Sequence, residues 1–108
     1  MDGGLHVTDY TNASRTLLLS LHSLEWDEQL LSFFDIPHEA LPTLVSNSEI
    51  YGEFKTGPLA GVTISGLVGD QQAALVGNLC LELGTKKQTY GSFSYSLSDN
   101  SRADLVRL

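Results

Sequence analysis

Apolar residues in the first part of the chain fall into two short runs with a polar segment between them. Residues 16–21 read Thr-Leu-Leu-Leu-Ser-Leu, a nearly continuous run that predicts a buried strand covered on both faces. Residues 6–10 alternate loosely between polar and apolar and predict a second strand. Thr11, Asn12 and Ser14 suit a turn between the two, so the pattern predicts a hairpin.

A helical spacing follows this segment. The apolar residues within 30–34 recur at helical intervals, and Asp27 stands where an N-cap or a first-turn acid belongs. Pro37 ends this helix, because a proline inside a helix removes a backbone donor and clashes with the preceding turn. A second short helix is predicted between Pro37 and Pro42. We expect the aromatic side chains of Trp26, Phe33 and Phe34 to pack in the core instead of forming a binding platform.

The pattern changes in the middle of the chain. Residues 46–60 are polar and irregular, which is typical of a linker or a domain boundary. Residues 61–68 then predict a strand, residues 71–83 a helix, and residues 87–90 the start of another strand. Gly84 stands at the C-cap position of that helix. The second half of the chain therefore reads strand, helix, strand.

The acidic composition narrows the classes of function. Thirteen Asp and Glu residues against six Lys and Arg give a formal net charge of −7, which repels phosphates, so no nucleic acid partner is expected. Lys86 and Lys87 form an adjacent basic pair that we interpret as solvated, with a small anion as the alternative ligand. No apolar run approaches the roughly 20 residues that span a bilayer, so no membrane-spanning segment is expected.

The cysteine content and the first residues point to a reducing compartment. Cys80 is the only cysteine, which excludes an internal disulfide, and its leucine neighbours predict a buried thiol. The first residues lack the basic and apolar regions of a secretory signal. Both observations predict a cytoplasmic protein.

Asp70 is the residue with the clearest chemical potential. It follows the predicted strand 61–68 and precedes the predicted helix, a place where open α/β folds bind ligands. Read on its own, the Gly-Asp pair at 69–70 is ambiguous, because an Asp there also suits a turn or a helix N-cap.

Two long stretches around and before Asp70 resemble a known family. Residues 6–16 read His-Val-Thr-Asp-Tyr-Thr-Asn-Ala-Ser-Arg-Thr and continue through similar segments to the Ser-Glu-Ile-Tyr-Gly of 48–52. Residues 64–77 read Ile-Ser-Gly-Leu-Val-Gly-Asp-Gln-Gln-Ala-Ala-Leu-Val-Gly, with Thr-Tyr-Gly at 89–91. In these stretches the chain resembles the FGGY carbohydrate kinase family, and within it the members that phosphorylate glycerol.

The resemblance implies chemical roles for two residues. Asp70 is expected to be the general base and a substrate contact, and Gln71 is expected to bind the glycerol hydroxyls. The chemistry agrees, because a carboxylate within hydrogen-bond reach can accept the proton of a hydroxyl as it receives the terminal phosphoryl of ATP. ATP with Mg2+ is the implied cofactor set, glycerol and ATP are the implied small-molecule partners, and the parent enzyme is expected to be a homo-oligomer.

The resemblance also implies an α/β fold, namely part of a two-domain actin- and ribonuclease H-like kinase that spans the junction between its domains. The expected divisions are the end of the N-terminal, glycerol-binding domain at 1–51, an interdomain linker at 52–60, the start of the C-terminal, ATP-binding domain at 61–91, and a divergent tail at 92–108.

The resemblance weakens after Gly91. The family continues from its Thr-Tyr-Gly with Thr-Gly, a turn that meets the ATP phosphates, whereas this chain has Ser92 and Phe93. Gly91 and Ser92 are the implied nucleotide contacts, but Phe93 lacks the backbone freedom of glycine. No metal-ligating residue is assigned.

Two other functions stay open at this point. One is an FGGY kinase for another polyol or sugar, and the second is a noncatalytic, truncated protein built from the kinase scaffold. The chain by itself is expected to be inactive, because it carries the base without the rest of the cleft.

Overall fold

A computed structural model describes residues 4–82, 84–90 and 95–98. Its elements are β1 (Val7–Asp9), α1 (Tyr10–Ala13), β2 (Leu19–Ser20), β3 (Glu25–Trp26), α2 (Glu28–Phe33), a 3-10 helix (His38–Ala40), β4 (Thr43–Val45), β5 (Ser48–Glu53), β6 (Thr63–Gly66), α3 (Asp70–Gly77), β7 (Lys86–Thr89) and β8 (Tyr95–Ser98).

Strands β1 and β4 pair in parallel, with the helical segments in the connection between them. This is an α/β arrangement, as predicted. The predicted hairpin between residues 6–10 and 16–21 is wrong. The Asp9 carboxylate accepts hydrogen bonds from the backbone N–H groups of Thr11 and Asn12, so the chain enters α1 directly after β1 instead of turning back.

The predicted buried strand at 16–21 is also mostly wrong. Only β2 forms there, and it pairs with β3 in an antiparallel ladder. Leu19 is buried, whereas Leu17 is 77% exposed and has a positive φ of 66°. The turn after α1 takes up the first residues of the run, which leaves two residues in extended pairing.

Helix α2 confirms the predicted cap but ends at Phe33, before it reaches Pro37, and Asp35 takes a left-handed φ of 55°. The Asp27 carboxylate accepts hydrogen bonds from the N–H groups of Gln29 at 2.9 Å and Leu30 at 3.2 Å. The expectation that its aromatic residues pack in the core is wrong, because Phe33 is 80% exposed and Leu31 fills the buried position instead. Residues two apart lie roughly 200° apart around a helix, so Leu31 and Phe33 cannot face the same core.

The predicted strand at 61–68 is confirmed as β6. It pairs with β5 in an antiparallel hairpin that has a register shift between Ser48 and Gly52. Residues 52–60, expected as an interdomain linker, include the end of β5 and most of the connection to β6, which is closed by hydrogen bonds between Phe54 and Val62 and between Gly61 and Phe54. The domain border itself stays a prediction.

Helix α3 begins where the sequence predicts but ends earlier. It stops at Gly77, and Leu79 takes a left-handed φ of 57°, so the predicted continuation to residue 83 and the C-cap at Gly84 are wrong. The Asn78 side chain donates to the carbonyl of Ala74 at 2.7 Å, and the N–H of Cys80 closes the turn on the Leu75 carbonyl. The Cys80 thiol is half-buried and not the core residue expected.

The core of the described part of the chain is small and has a polar centre. Its buried hydrophobic residues are Ala13, Leu19, Leu31, Tyr51 and Leu75. Its buried polar residues are Asp9, Thr11, Asn47 and Gln72. This polar centre adjoins the N-terminus of α3, because Thr11 is hydrogen-bonded to Gly69, the N-cap residue of that helix.

Candidate active site

Asp70 opens helix α3 four residues after β6 ends, the strand-then-helix position that the sequence predicts. Its carboxylate is exposed, and one oxygen accepts a hydrogen bond from the N–H of Gln71 at 2.8 Å. The second oxygen accepts a longer one, 3.3 Å, from Nε2 of the same residue. A carboxylate is stabilised at a helix N-terminus, where backbone N–H groups carry partial positive charge.

The side chain of Gln71 is held between Asp70 and strand β7. Its Oε1 accepts a hydrogen bond from Lys87 Nζ at 2.7 Å and one from the Thr89 hydroxyl at 3.3 Å. Lys87 Nζ also donates to the Thr89 hydroxyl at 2.8 Å. These acceptor contacts turn the amide oxygen toward β7, and the amide NH2 group then faces Asp70.

The two lysines of the basic pair differ in their environment. Lys86 is exposed, whereas Lys87 is half-buried against Gln71. The interpretation of both as solvated residues therefore holds for Lys86 and not for Lys87. Gly91 and Ser92, the nucleotide contacts that the resemblance implies, lie outside the described residues.

A buried polar cluster lies next to segment 67–69, which precedes Asp70. It consists of Asp9, Thr11 and Asn47 and is here called the Asp9 cluster. The Thr11 hydroxyl donates to the Asp9 carboxylate and accepts a hydrogen bond from the N–H of Gly69 at 2.7 Å. Asn47 Nδ2 donates to Asp9 at 2.8 Å and to the carbonyl of Leu67 at 2.8 Å. The cluster thus touches both ends of segment 67–69, which leads into Asp70.

Asp9 is 1% exposed and still carries its charge. Burial alone raises the pKa of its carboxyl, because charge is disfavoured away from water, but hydrogen bonds from the side chains and backbones of Thr11 and Asn12 outweigh this and hold the pKa below its usual value. A charged carboxylate accepts hydrogen bonds more strongly than a neutral group does. The cluster is therefore organised around a buried anion.

Gly69 is favoured by close approach rather than by its backbone angles. A Cβ at this position would lie 2.7 Å from Oε1 of the buried Gln72 and 3.4 Å from the Thr11 hydroxyl. Any larger residue would displace one of these groups. The last residue before Asp70 is thus packed tightly against the Asp9 cluster.

Sequence reasoning found Asp70 and Gln71 but missed what surrounds them. Asp9 is a residue type favoured at a helix N-cap, so α1 could have been found. Nothing local indicates that the Thr11 hydroxyl meets Gly69, because the two are 58 positions apart. The contact of Lys87 with Gln71 spans 16 positions, and no local sequence pattern predicts it either.

Comparison with known proteins identifies the class to which this fold and site belong. A model of the N-terminal domain of the FGGY family of carbohydrate kinases matches residues 1–77, well over half of the chain. The chain belongs to that family.

Curated relatives are named glycerol kinase or probable glycerol kinase. A glycerol kinase of Azorhizobium caulinodans is 57% identical over 96 residues, which cover 89% of this chain and 19% of the relative. A probable glycerol kinase of Caenorhabditis elegans is 55% identical over 94 residues, with 87% and 19% covered. The chain therefore spans about a fifth of the length of these curated relatives.

A solved structure shows the same relationship. The crystal structure of Plasmodium falciparum glycerol kinase with ADP aligns with a TM-score of 0.78 and 37% identity, covering 83% of this chain and 19% of that one. The chain thus adopts part of the actin- and ribonuclease H-like kinase fold expected from the resemblance. Within the residues that the structure describes, no helix has the length and apolar character needed to cross a membrane.

Proposed function

We propose that this chain is a segment of an ATP-dependent kinase that converts glycerol to glycerol 3-phosphate, and that Asp70 is its general base. The observation that carries the proposal is the position of Asp70, an exposed carboxylate at the start of α3, in a chain more than half identical to proteins named glycerol kinase.

Asp70 would supply the proton acceptor that the reaction needs. A glycerol hydroxyl is a poor nucleophile while it keeps its proton, and a carboxylate within hydrogen-bond reach can accept that proton as the oxygen takes the terminal phosphoryl group of ATP. The bond from that phosphorus to ADP breaks in the same step. Because Asp70 is exposed and its described contacts are both with Gln71, its carboxylate is open to a substrate from solvent.

Gln71 is proposed to bind the polyol beside Asp70. A primary amide offers two donors and one acceptor, which suits neutral hydroxyl groups. Lys87 and Thr89 occupy its acceptor, so its donors are directed toward the Asp70 side, where a hydroxyl would lie.

The nucleotide is proposed to bind on the far side of the reacting hydroxyl. Gly91 and Ser92 are assigned to ATP by the family resemblance, and Mg2+ bound with ATP would offset charge on the phosphates. The proposed border places 1–51 in the glycerol-binding domain and 61–91 in the ATP-binding domain, with 52–60 between them. The family match to the N-terminal domain runs past this border to residue 77. Cytoplasmic location and a homo-oligomeric parent enzyme stay predictions.

The decisive test is Asp70→Asn in the full-length kinase that carries this segment. We expect turnover to fall by roughly 10² to 10⁴, the usual range for loss of a general base, with little change in ATP affinity. Asp35→Asn is the matched control, because Asp35 is exposed and lies in a turn after α2. Near-normal turnover of Asp70→Asn would refute the assignment.

A substrate panel separates the proposal from the other kinase reading. Glycerol should give the highest kcat/KM among glycerol, longer polyols and hexoses, measured by coupled ADP release. A clear preference for a longer polyol or a sugar would identify another FGGY kinase instead.

A further inference from the structure

We infer that the Asp9 cluster positions the catalytic base: Asp9, Thr11 and Asn47 hold segment 67–69 in place, and this fixes where Asp70 begins α3. The inference rests on the proposed role of Asp70 as the base. The hydrogen bonds described for Asp70 are with Gln71 and not with these three residues, so they are positioning residues.

The first connection runs through the Thr11 hydroxyl. It accepts the N–H of Gly69 at 2.7 Å and donates to the Asp9 carboxylate, so both of its hydrogen-bonding functions are used. Thr11 is fully buried, and it stands in the first turn of α1 directly after β1. Gly69, the residue before the proposed base, is therefore hydrogen-bonded to helix α1 near the start of the chain.

The second connection runs through Asn47. Its Nδ2 donates to the Leu67 carbonyl at 2.8 Å, and its backbone carbonyl accepts the Leu67 N–H at 3.1 Å. The same Nδ2 donates to Asp9 at 2.8 Å. Both of its side-chain N–H groups are thus used, and they orient the amide with its oxygen away from these acceptors.

One buried anion therefore organises both ends of the segment. Asn47 is hydrogen-bonded to Leu67, and Thr11 is hydrogen-bonded to Gly69. The side chains of Asn47 and Thr11 both donate to the same carboxylate oxygen of Asp9. A three-residue segment fixed at its two ends has little freedom, so the backbone at Asp70 is defined as well.

Capping of α1 does not account for this arrangement. An N-cap needs only the bonds from Asp9 to the N–H groups at the start of the helix. The contacts of Thr11 with Gly69 and of Asn47 with Leu67 reach across 58 and 20 positions and add nothing to that cap. A buried charge is also a poor source of stability compared with apolar packing, which favours a role in fixing geometry.

The kinetic consequence follows from how a general base works. The base must lie within hydrogen-bond reach of the proton it accepts, and a misplacement of about 1 Å can cost about 10²-fold in rate. Loosening segment 67–69 should therefore lower kcat while leaving nucleotide binding nearly unchanged.

The test compares two substitutions of Thr11 in the full-length kinase. Thr11→Val keeps the shape and removes the hydroxyl, and we expect kcat to fall about 10- to 100-fold with KM for ATP changed less than about twofold. Thr11→Ser keeps the hydroxyl and should restore most of the turnover. Thr16→Val is the matched control, because the exposed Thr16 hydroxyl bonds only to Ala13 and Leu18.

Hydrogen exchange of the peptide that contains residues 67–70 supplies a readout that does not depend on activity. Thr11→Val should speed exchange of the Gly69 amide, and Thr11→Ser should not. Should Thr11→Val fail to fold, Asn47→Ser replaces it, since serine is too short to span Asp9 and Leu67, and kcat is then expected to fall about fivefold or more.

The outcomes separate this inference from the proposed function. If Asp70→Asn is inactive while Thr11→Val keeps the turnover of Thr16→Val, the positioning role is overturned and the base assignment stands. If Asp70→Asn itself turns over normally, both are overturned. If Thr11→Val is added to Asp70→Asn and lowers turnover no further, the two residues act through one step, as inferred.

Discussion

Lys87 places a cationic side chain against the amide of Gln71, the proposed substrate-binding group. Its ammonium group donates to Gln71 Oε1 at 2.7 Å, a charge-assisted bond that keeps the amide from turning over. If the amide turned, its oxygen instead of its donors would face the carboxylate of Asp70. Lys87 thus sets which part of the Gln71 amide faces Asp70.

Lys87→Met should weaken glycerol binding more than it slows saturated turnover. Loss of a hydrogen bond worth about 0.5 to 1.5 kcal/mol predicts a rise in KM for glycerol of about two- to tenfold, with kcat changed less. Lys86→Met is the control, because Lys86 is adjacent, exposed and carries the same charge. Equal effects of the two substitutions in initial-rate assays would mean that general charge, not the contact with Gln71, is responsible.

At the scale of single residues, the sequence indicated the proposed base but not the residues that hold it in place. Asp70 and Gln71 stand out because family motifs surround them and because a strand precedes and a helix follows. Thr11 and Asn47 read as ordinary polar residues of a turn and a linker. Their roles arise from tertiary hydrogen bonds, which no local pattern encodes.

The elements show where local signals were sufficient and where packing overruled them. The Asp27 cap defined the start of α2 correctly, since a cap acts within one helical turn, whereas the helix ends at Phe33, before Pro37. Residues 16–21 failed as a strand because a hydrophobic run says nothing about which neighbour will pair with it. The partner of β1 proved to be β4, which lies far along the chain.

Just after the end of α3, the residue present does not suit the backbone conformation that the chain adopts. Leu79 has a φ of 57° and is 78% exposed, so it takes on left-handed strain without burying its side chain. A non-glycine residue in that conformation costs roughly 1 to 2 kcal/mol. A glycine two residues after α3, in place of Leu79, would adopt the left-handed conformation without this strain. Gly84 cannot end the helix, because α3 already stops at Gly77.

Leu79→Gly should therefore stabilise the chain. Relief of strain, less the greater backbone entropy that glycine loses on folding, predicts a gain of about 0.5 to 1 kcal/mol in the free energy of unfolding. Urea denaturation followed by circular dichroism measures it. Leu81→Gly is the comparison, because Leu81 is also exposed but has no positive φ. A loss of stability in Leu79→Gly as large as in Leu81→Gly would show that no strain is relieved.

The whole molecule buries little apolar surface. Within the described residues, large hydrophobic side chains such as Leu5, Ile50 and Tyr90 are exposed, and each of the four sheets has only two strands. The radius of gyration of 16.0 Å exceeds the roughly 13 Å expected of a compact domain of this length. Family and α/β class were readable from the sequence because motifs survive in a segment, whereas pairing between strands depends on the layers around them.

The 108-residue chain alone should be inactive and weakly stable. Phosphoryl transfer depends on positioning a base, a hydroxyl and a nucleotide together, and this segment is proposed to supply mainly the base. Exposed apolar faces and open strand edges favour association. We expect a broad thermal transition by calorimetry, self-association by light scattering, and background ADP release with glycerol and Mg-ATP. Glycerol-dependent ADP release that Asp70→Asn abolishes would show instead that the segment is a minimal enzyme.

The bond between the Thr11 hydroxyl and the Gly69 amide also bears on the order in which the molecule folds. It joins residues 58 positions apart, and a loop of that length loses conformational entropy before the contact is made. We therefore expect the geometry of segment 67–69 to be completed late, after local helices and turns have formed.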